Sequence, residues 1–185
     1  MDFAATKRMF HLPEGVTYLD GNSLGPLPVA ATAQMADVMQ NEWGAQLIRA
    51  WNTAGWMERG RATADRIGRL IGASSGSVMM GDTLSVKVFQ AVSAALGLVP
   101  ERRKILSDIG NFPSDLYIAR GLAEALGKGH ELVVVPPQEV MAAITDEIGV
   151  VLLTEVDYRT GRRHDMQAVS HRAHDAGAVT VWDLA

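Results

Sequence analysis

Short apolar runs alternate with amphipathic segments from residue 77 to residue 185, and this alternation restricts the fold more than any other feature. A short apolar run is typical of a buried strand, and an amphipathic segment between two such runs is typical of a crossover helix in a parallel sheet. The predicted strands are residues 77–80, 104–107, 131–135, 149–154 and 178–182. The predicted helices are residues 86–98, 114–126, 138–147 and 165–176. Residues 77–185 are therefore predicted to form an α/β domain with a mostly parallel sheet.

The last predicted helix has the clearest pattern. Four apolar residues share one face because they recur at spacings of three and four: Met166, Val169, Ala173 and Ala176. Asp165 is a suitable N-cap for this helix, and Gly177 is a suitable residue to end it.

Residues 1–76 have a different pattern and are predicted to form an N-terminal arm and helices. An extended segment at 16–19 leads into a turn rich in Gly, Asn and Pro, and helices are predicted at 29–43 and 57–71. No repeat, low-complexity tract or obvious linker separates this arm from the α/β domain.

The composition excludes several classes of protein. With 48% hydrophobic and 21% charged residues, a chain of 185 residues can bury a substantial core. A net charge of -4 with scattered basic residues argues against a nucleic-acid binder. The chain has no cysteine, which excludes disulfides and thiolate metal sites. A soluble, cytoplasmic protein is expected, because the start lacks the features of a secretory signal and the apolar run at 148–153 is far shorter than the roughly 20 residues that cross a bilayer.

Asp183 follows a predicted apolar strand and is a candidate ligand-binding residue. In open α/β sheets, ligands bind outside the carboxyl ends of the strands. A carboxylate there can hold a cationic ring nitrogen of a cofactor, or a metal. The alternative is an ordinary strand-end aspartate that caps the next turn.

Two strand-to-helix turns are further candidates. Residues 81–85 place hydroxyls and free N–H groups at the start of an apolar helix, where an anion such as phosphate binds well, although a simple N-cap would have the same sequence. Residues 111–115 start the next helix with Pro113 in an early position. There, Phe112 is either buried during helix initiation or covers a planar cofactor, with Asp115 beside it.

Three other groups of polar residues have simpler explanations. The turn at 18–26 is explained by its glycines, although Asn22 and Ser23 could face a ligand. The basic segment at 159–163 is predicted to be a solvated loop, with the alternative that its arginines grip a carboxylate. A metal site is not predicted, and three histidines are expected at the surface: His164, His171 and His174.

Three motifs in order resemble the kynureninase family. They are LDGNSLGP at 19–26, NFPSDLY at 111–117 and VWDLA at 181–185, and the resemblance spans residues 18–185. It implies part of the large domain of a fold-type I, class V-like aminotransferase fold, usually a homodimer, with pyridoxal 5'-phosphate as cofactor. It also implies hydrolysis of L-kynurenine or 3-hydroxykynurenine to anthranilate or 3-hydroxyanthranilate and L-alanine.

The same resemblance implies a role for individual residues. Cofactor contacts are expected from Leu84 and Ser85 at the phosphate, from Phe112, Pro113, Ser114 and Asp115 at the ring, from Thr154 on the next strand, and from Asp183 at the pyridine nitrogen. Substrate contacts are expected from Asn22 and Ser23.

The sequence departs from the family in its lysines. In the family, the Schiff-base lysine follows the strand that ends in the aspartate, whereas the four lysines here all precede Asp183: Lys7, Lys87, Lys104 and Lys128. Lys87 is interpreted as a variant residue of its helix and not as a displaced catalytic group. The segment alone is therefore expected to be inactive and truncated before the small domain. Two alternatives stay open, another pyridoxal-phosphate lyase of the same fold, such as a cysteine desulfurase, and a non-catalytic α/β dimerisation module.

Overall fold

The computed structural model describes residues 2–185, which form two compact units that divide between Met80 and Gly81. The first unit is helical. Its elements are α1 (Phe3–Lys7), α2 (Val29–Asp37), a π-helical continuation (Val38–Gly44), a 3₁₀ turn (Leu47–Arg49), α3 (Ala50–Thr53) and α4 (Trp56–Ile71). Residues 16–19 have no regular structure and are exposed.

The second unit contains a parallel sheet of four strands. These are β1 (Lys104–Asp108), β2 (Glu131–Val135), β3 (Ile148–Thr154) and β4 (Val179–Asp183), in the order β2-β1-β3-β4. Thr154 pairs in register with Asp183, so the carboxyl ends of β3 and β4 lie side by side. The α/β fold with a parallel sheet is confirmed.

Helices cover both faces of this sheet. They are α5 (Leu84–Leu98), α6 (Pro113–Leu126), α7 (Val140–Ala143, after a 3₁₀ turn at Pro137–Glu139) and α8 (Met166–Asp175). Neighbouring residues of a strand point to opposite faces. Ile105 accordingly packs in one core with α5 and α6, and Leu106 packs in the other with α7 and α8.

The predicted ends of α8 are confirmed. Asp165 Oδ1 accepts a hydrogen bond from the N–H of Ala168 at 2.9 Å, which satisfies a free donor of the first turn. Gly177 has a φ of 77°, the left-handed conformation that ends a helix most easily in glycine.

Two predicted elements differ from the structure. The strand at 77–80 is wrong, because a strand needs a hydrogen-bonded neighbour and these residues pair with none within residues 2–185. The helix at 138–147 is too long. It ends at Ala143 because Ile144 adopts an extended ψ of 98°, and the carbonyl of Ile144 accepts a hydrogen bond from Arg172 instead. Across the described chain, no helix combines the length and apolar character needed to span a membrane.

Candidate cofactor site at the carboxyl edge of the sheet

Asp183 ends β4 and is almost fully buried, with 5% of its surface exposed. Its Oδ1 accepts a hydrogen bond from the N–H of Ala185 at 2.9 Å, which is the turn-capping contact expected of a strand-end aspartate. Its Oδ2 has only a 3.3 Å contact with the hydroxyl of Thr154. The capping contact therefore uses one carboxylate oxygen and leaves the other weakly bonded.

The hydroxyl of Thr154 has a single proton, and a closer acceptor competes for it. Asn111 Oδ1 is nearer to Thr154 Oγ1 than Asp183 Oδ2 is. Asn111 is held in place because its Nδ2 donates to Ser107 Oγ at 2.9 Å and its Oδ1 accepts from the N–H of Phe112 at 2.7 Å. Thr154 therefore donates to Asn111, and Asp183 Oδ2 keeps its capacity to accept a hydrogen bond.

Asn111 and Ser107 were not predicted as site residues. Ser107 lies within a strand whose apolar neighbours suggest only core, and Asn111 looks like an ordinary turn residue. The available signal was the position of Asn111 just after β1, at the same edge as Asp183. Sequence alone does not indicate that its amide links β1 to β3.

Asp115 lies in the first turn of α6 and is fully buried. Its Oδ2 has no hydrogen-bond partner among the described residues, and its Oδ1 has only a 3.4 Å contact with Ser114 Oγ. Burial, and secondarily the charge of Asp183, raise the pKa of Asp115 to about 6. A buried polar atom without a partner is rare in proteins, and it points to a ligand or to a functional role.

Phe112 is the residue before α6, and it is 44% exposed. The alternative that this ring is buried during helix initiation is therefore wrong. Pro113 occupies the first turn of α6, as predicted, because its missing N–H costs nothing there. The exposed ring makes an edge-to-face contact with Tyr158, with ring centroids 5.2 Å apart.

Leu84 and Ser85 begin α5, and Thr83 makes no side-chain capping hydrogen bond to this helix. The simple N-cap that the sequence also allowed is thus not formed. Leu84 lines a cleft of about 280 Å³ together with Asp183 and its neighbours on the chain. Lys87 lines the same cleft, and its ammonium group donates to Gln90 Oε1 at 3.0 Å.

Asn22 and Ser23 lie in an exposed turn of the first unit. Ser23 Oγ donates to Asp20 Oδ1 at 2.8 Å, and the hydroxyl of Tyr18 donates to the carbonyl of Leu24 at 2.7 Å. These contacts close the turn locally, as its glycine-rich sequence suggests.

Asp108 is the last residue of β1, and its contacts correct two predictions. His164 is not a surface residue: it is 8% exposed, and its Nε2 lies 2.5 Å from Asp108 Oδ2. The segment 159–163 is not merely solvated, because Arg162 Nη2 also contacts Asp108 Oδ2 at 3.3 Å. The carboxylate-gripping alternative is therefore correct for Arg162, although the carboxylate belongs to the protein itself.

The other two histidines, His171 and His174, are exposed, as predicted. Within the described residues, no group of three or more histidine or acidic side chains is arranged to hold a metal ion.

The comparisons with known proteins agree with the motifs. The chain is 49% identical to a kynureninase of Pseudomonas fluorescens over 187 aligned residues, which cover 98% of this chain. It is 50% identical to a kynureninase of Deinococcus radiodurans over 95% of the chain, and 46% identical to one of Burkholderia pseudomallei over 98%. The chain is therefore similar, over nearly its whole length, to the corresponding part of known kynureninases. No family model matches the chain.

The chain spans about 45% of the length of the kynureninases that it matches. Solved structures share its fold at lower identity. A cysteine desulfurase of Thermococcus onnurineus has a TM-score of 0.73 at 18% identity, over 99% of this chain and 47% of its own. The Escherichia coli cysteine desulfurase CsdA has a TM-score of 0.71, also at 18% identity, over 97% and 48% of the two chains. These structures show that the fold is shared with the cysteine desulfurases.

Proposed function

We propose that this segment supplies the cofactor-binding edge of a kynureninase, an enzyme that hydrolyses L-kynurenine or 3-hydroxykynurenine. Water is consumed as the Cβ–Cγ bond is cleaved, and the products are anthranilate, or 3-hydroxyanthranilate, and L-alanine. The observation that carries this proposal is the pair of buried carboxylates Asp115 and Asp183, each with an oxygen that the described residues leave free or only weakly bonded.

The free oxygens suit pyridoxal 5'-phosphate. The cofactor combines an anionic phosphate, an aromatic ring and a ring nitrogen that is useful only when protonated. The residues present can match each part: the uncapped start of α5 for the phosphate, the exposed ring of Phe112 for the aromatic face, and Asp183 for the nitrogen. The fit rests on the chemistry of these groups, since no single residue defines it.

The cofactor, when bound, supplies an electron sink for the substrate's amino acid carbons. Asp183 Oδ2 would accept a hydrogen bond from the ring N–H and so keep that nitrogen protonated. The N–H of Ala185 holds Oδ1 of this carboxylate, and Oδ2 stays available because the Thr154 hydroxyl donates to the Asn111 amide oxygen instead.

The remaining predicted residues bind and orient. Phe112, with Pro113 and Ser114 fixing the start of α6, would cover one face of the ring. The N–H groups at Leu84 and Ser85 would donate to the phosphate, because the helix dipole favours an anion there.

Asp115 is suited to hold or move a proton. A pKa of about 6 means that a modest change in its surroundings near neutral pH shifts its protonation. When protonated, its Oδ2 would donate a hydrogen bond to the cofactor, and when ionised it would accept one.

The wider assignment follows from the family. We propose that Asn22 and Ser23 contact the substrate and that the enzyme is a cytoplasmic homodimer. We also propose that the reaction belongs to tryptophan catabolism, in the kynurenine pathway that leads to NAD biosynthesis. The hydrolase activity itself belongs to the protein at its full encoded length.

The test uses the protein at its full encoded length. The protein is freed of cofactor and assayed with L-kynurenine and 3-hydroxykynurenine, with and without added pyridoxal 5'-phosphate, and product fluorescence is measured. Activity that depends on the cofactor supports the proposal. Sulfide release from L-cysteine without kynurenine cleavage would point to a desulfurase. Absence of any cofactor binding would point to a non-catalytic module.

A further inference from the structure

Between β3 and α8 the chain forms a hairpin, residues 155–164, that is attached to the end of β4. An antiparallel bridge joins Val156 to Arg163. The N–H of Glu155 donates to the carbonyl of Asp183 at 3.0 Å, and the N–H of His164 donates to the carbonyl of Glu155 at 3.0 Å. The base of hairpin 155–164 is therefore fixed to the strand that carries the candidate ring-nitrogen partner.

A buried side-chain cluster fixes the same base to β1. His164 Nε2 lies 2.5 Å from Asp108 Oδ2, and both side chains are almost fully buried. Arg162 Nη1 lies 3.4 Å from Nδ1 and 3.3 Å from Nε2 of His164, and its Nη2 lies 3.3 Å from Asp108 Oδ2. These contacts join hairpin 155–164 to the strand that leads directly into Phe112.

The loop between β1 and α6 packs tightly against the carboxylates near this cluster. A Cβ at Gly110 would lie 2.9 Å from Asp108 Oδ1 and 2.9 Å from Asp157 Oδ2. Glycine is therefore needed for the loop to pass this close to the two carboxylates. Arg159 adds a 3.4 Å contact from its Nη2 to the carbonyl of Ile109.

The tip of hairpin 155–164 carries an aromatic residue, Tyr158, that is not part of a hydrophobic core. Tyr158 is 60% exposed, yet its ring packs edge-to-face on Phe112 with centroids 5.2 Å apart. The guanidinium carbon of Arg159 lies 5.5 Å from the centroid of the Tyr158 ring. The exposed phenylalanine is thus restrained by a second exposed aromatic, which is itself backed by an arginine.

We infer that Tyr158 is a positioning residue that sets the ring orientation of Phe112, and that the contact of His164 with Asp108 holds hairpin 155–164 in register to do so. The inference rests on the proposed function, because it assigns Tyr158 to the binding of a planar aromatic cofactor through Phe112. Tyr158 itself touches no reacting atom.

The contact is strong enough to measure. An exposed phenylalanine has several rotamers available, and only one ring orientation suits stacking on a cofactor. Edge-to-face aromatic pairs, converted from their coupling free energies, correspond to about a 2- to 12-fold change in an equilibrium constant. Loss of the Tyr158 ring is expected to weaken cofactor binding by about 3- to 10-fold.

The test is a double-mutant cycle on the protein at its full encoded length. The proteins are the wild type, Tyr158→Ala, Phe112→Ala and the double variant, each freed of cofactor. Pyridoxal 5'-phosphate is titrated while tryptophan fluorescence is followed, and thermal unfolding checks that each variant is folded. Tyr158→Phe keeps the ring and is expected to bind like the wild type.

The expected result is coupling: Tyr158→Ala weakens binding in the wild-type background and has no further effect once Phe112 is absent. An equal loss in both backgrounds, or no loss in either, overturns the inference while leaving the proposed function intact. If the wild type binds no cofactor, the proposed function fails and the inference fails with it. Should Tyr158→Ala not fold, Tyr158→Leu replaces it in the cycle.

A second set of variants tests the base of hairpin 155–164. His164→Gln keeps an N–H donor near the position of Nε2, whereas His164→Leu removes it. His171→Leu, at an exposed position on α8, is the matched control. We expect weaker cofactor binding for His164→Leu, recovery for His164→Gln and no change for the control. Equal binding by His164→Leu and the wild type would contradict the role of His164.

Discussion

Two pairs of buried carboxylates lie in the second unit: Asp108 with Asp157, and Asp115 with Asp183. The chain satisfies the first pair with hydrogen bonds and leaves the second pair largely unsatisfied. Asp108 accepts hydrogen bonds from His164 and Gly110 and contacts Arg162. Burial alone would raise the pKa of Asp108, but the hydrogen bonds from His164 and Gly110 and the nearby positive charges hold it below its usual range. Asp115 has almost none of these partners, and its pKa is raised to about 6.

Asp157 and Asp183, the second members of the two pairs, differ in the same way. Asp157 Oδ1 accepts hydrogen bonds from the N–H groups of Arg159 and Thr160, and these contacts lower its pKa despite its burial. Asp183 keeps one oxygen with only a weak contact. A fully bonded carboxylate stabilises the fold, whereas one left short of partners is a cost to the fold that a ligand can remove.

The largest expected effect is on catalysis at the unsatisfied pair. Asp183→Asn in the protein at its full encoded length is expected to lower kcat for L-kynurenine by about 100- to 1,000-fold, because a preorganised charge at the cofactor is lost. Folding should change little, since the amide oxygen can still accept from the N–H of Ala185. Steady-state kinetics and thermal unfolding measure the two effects, with Asp175→Asn on α8 as a control. Full activity of Asp183→Asn would remove its proposed role.

The next effect is on stability at the satisfied pair. His164→Leu leaves Asp108 buried with fewer partners and is expected to lower the free energy of unfolding by about 3 kcal/mol at pH 7. Because the folded-state pKa of Asp108 is lowered, this stabilisation is present above the unfolded pKa of about 3.9 and is lost as the pH falls below it. Urea unfolding at pH 7 and pH 3 tests this, and His171→Leu should show neither change. A loss as large at pH 3 as at pH 7 would mean that packing, and not the hydrogen bond to the ionised Asp108 carboxylate, explains it.

Asp115→Asn is expected to raise the free energy of unfolding, whereas His164→Leu lowers it. The raised pKa of Asp115 means that the folded state holds its proton more tightly than the unfolded state, so stability falls as the pH rises from about 4 to about 6. Removing the charge should therefore stabilise the cofactor-free protein by about 1–2 kcal/mol at pH 7.5, with no gain at pH 4. Urea unfolding across this range, with Asp175→Asn controlling for the loss of one charge, measures the difference. Destabilisation at pH 7.5 would mean that Asp115 has a structural partner after all.

The smallest expected effect is a difference in stability between variants of two adjacent arginines, Arg162 and Arg163. Arg162→Met removes one of several partners of Asp108 and is expected to cost about 1 kcal/mol, because Arg162 is partly exposed. Arg163→Met removes a largely exposed side chain whose contact with Glu155 is 3.8 Å, and its midpoint of urea unfolding should equal that of the wild type. Equal midpoints for both variants would show that Arg162 adds nothing to the cluster.

Much of the fold could be predicted because it depends on local pattern. Four of the five predicted strands form, since their apolar runs need only a neighbouring strand, and the chain supplies one for each. The caps of α8 were readable because Asp165 and Gly177 act on their own helix. The strand at 77–80 failed because its formation depends on a pairing partner that the run itself does not specify.

The candidate site was predictable only in part. The sequence by itself determined that Asp183 ends a strand and that Phe112 and Asp115 start a helix, because position along the chain fixes these relations. Only the tertiary structure decided which carboxylates are satisfied: the contact between Asp108 and His164 joins residues 56 positions apart. Long-range hydrogen bonds depend on how the strands and the hairpin meet, and among the described residues that arrangement leaves Oδ2 of Asp115 without a hydrogen-bond partner.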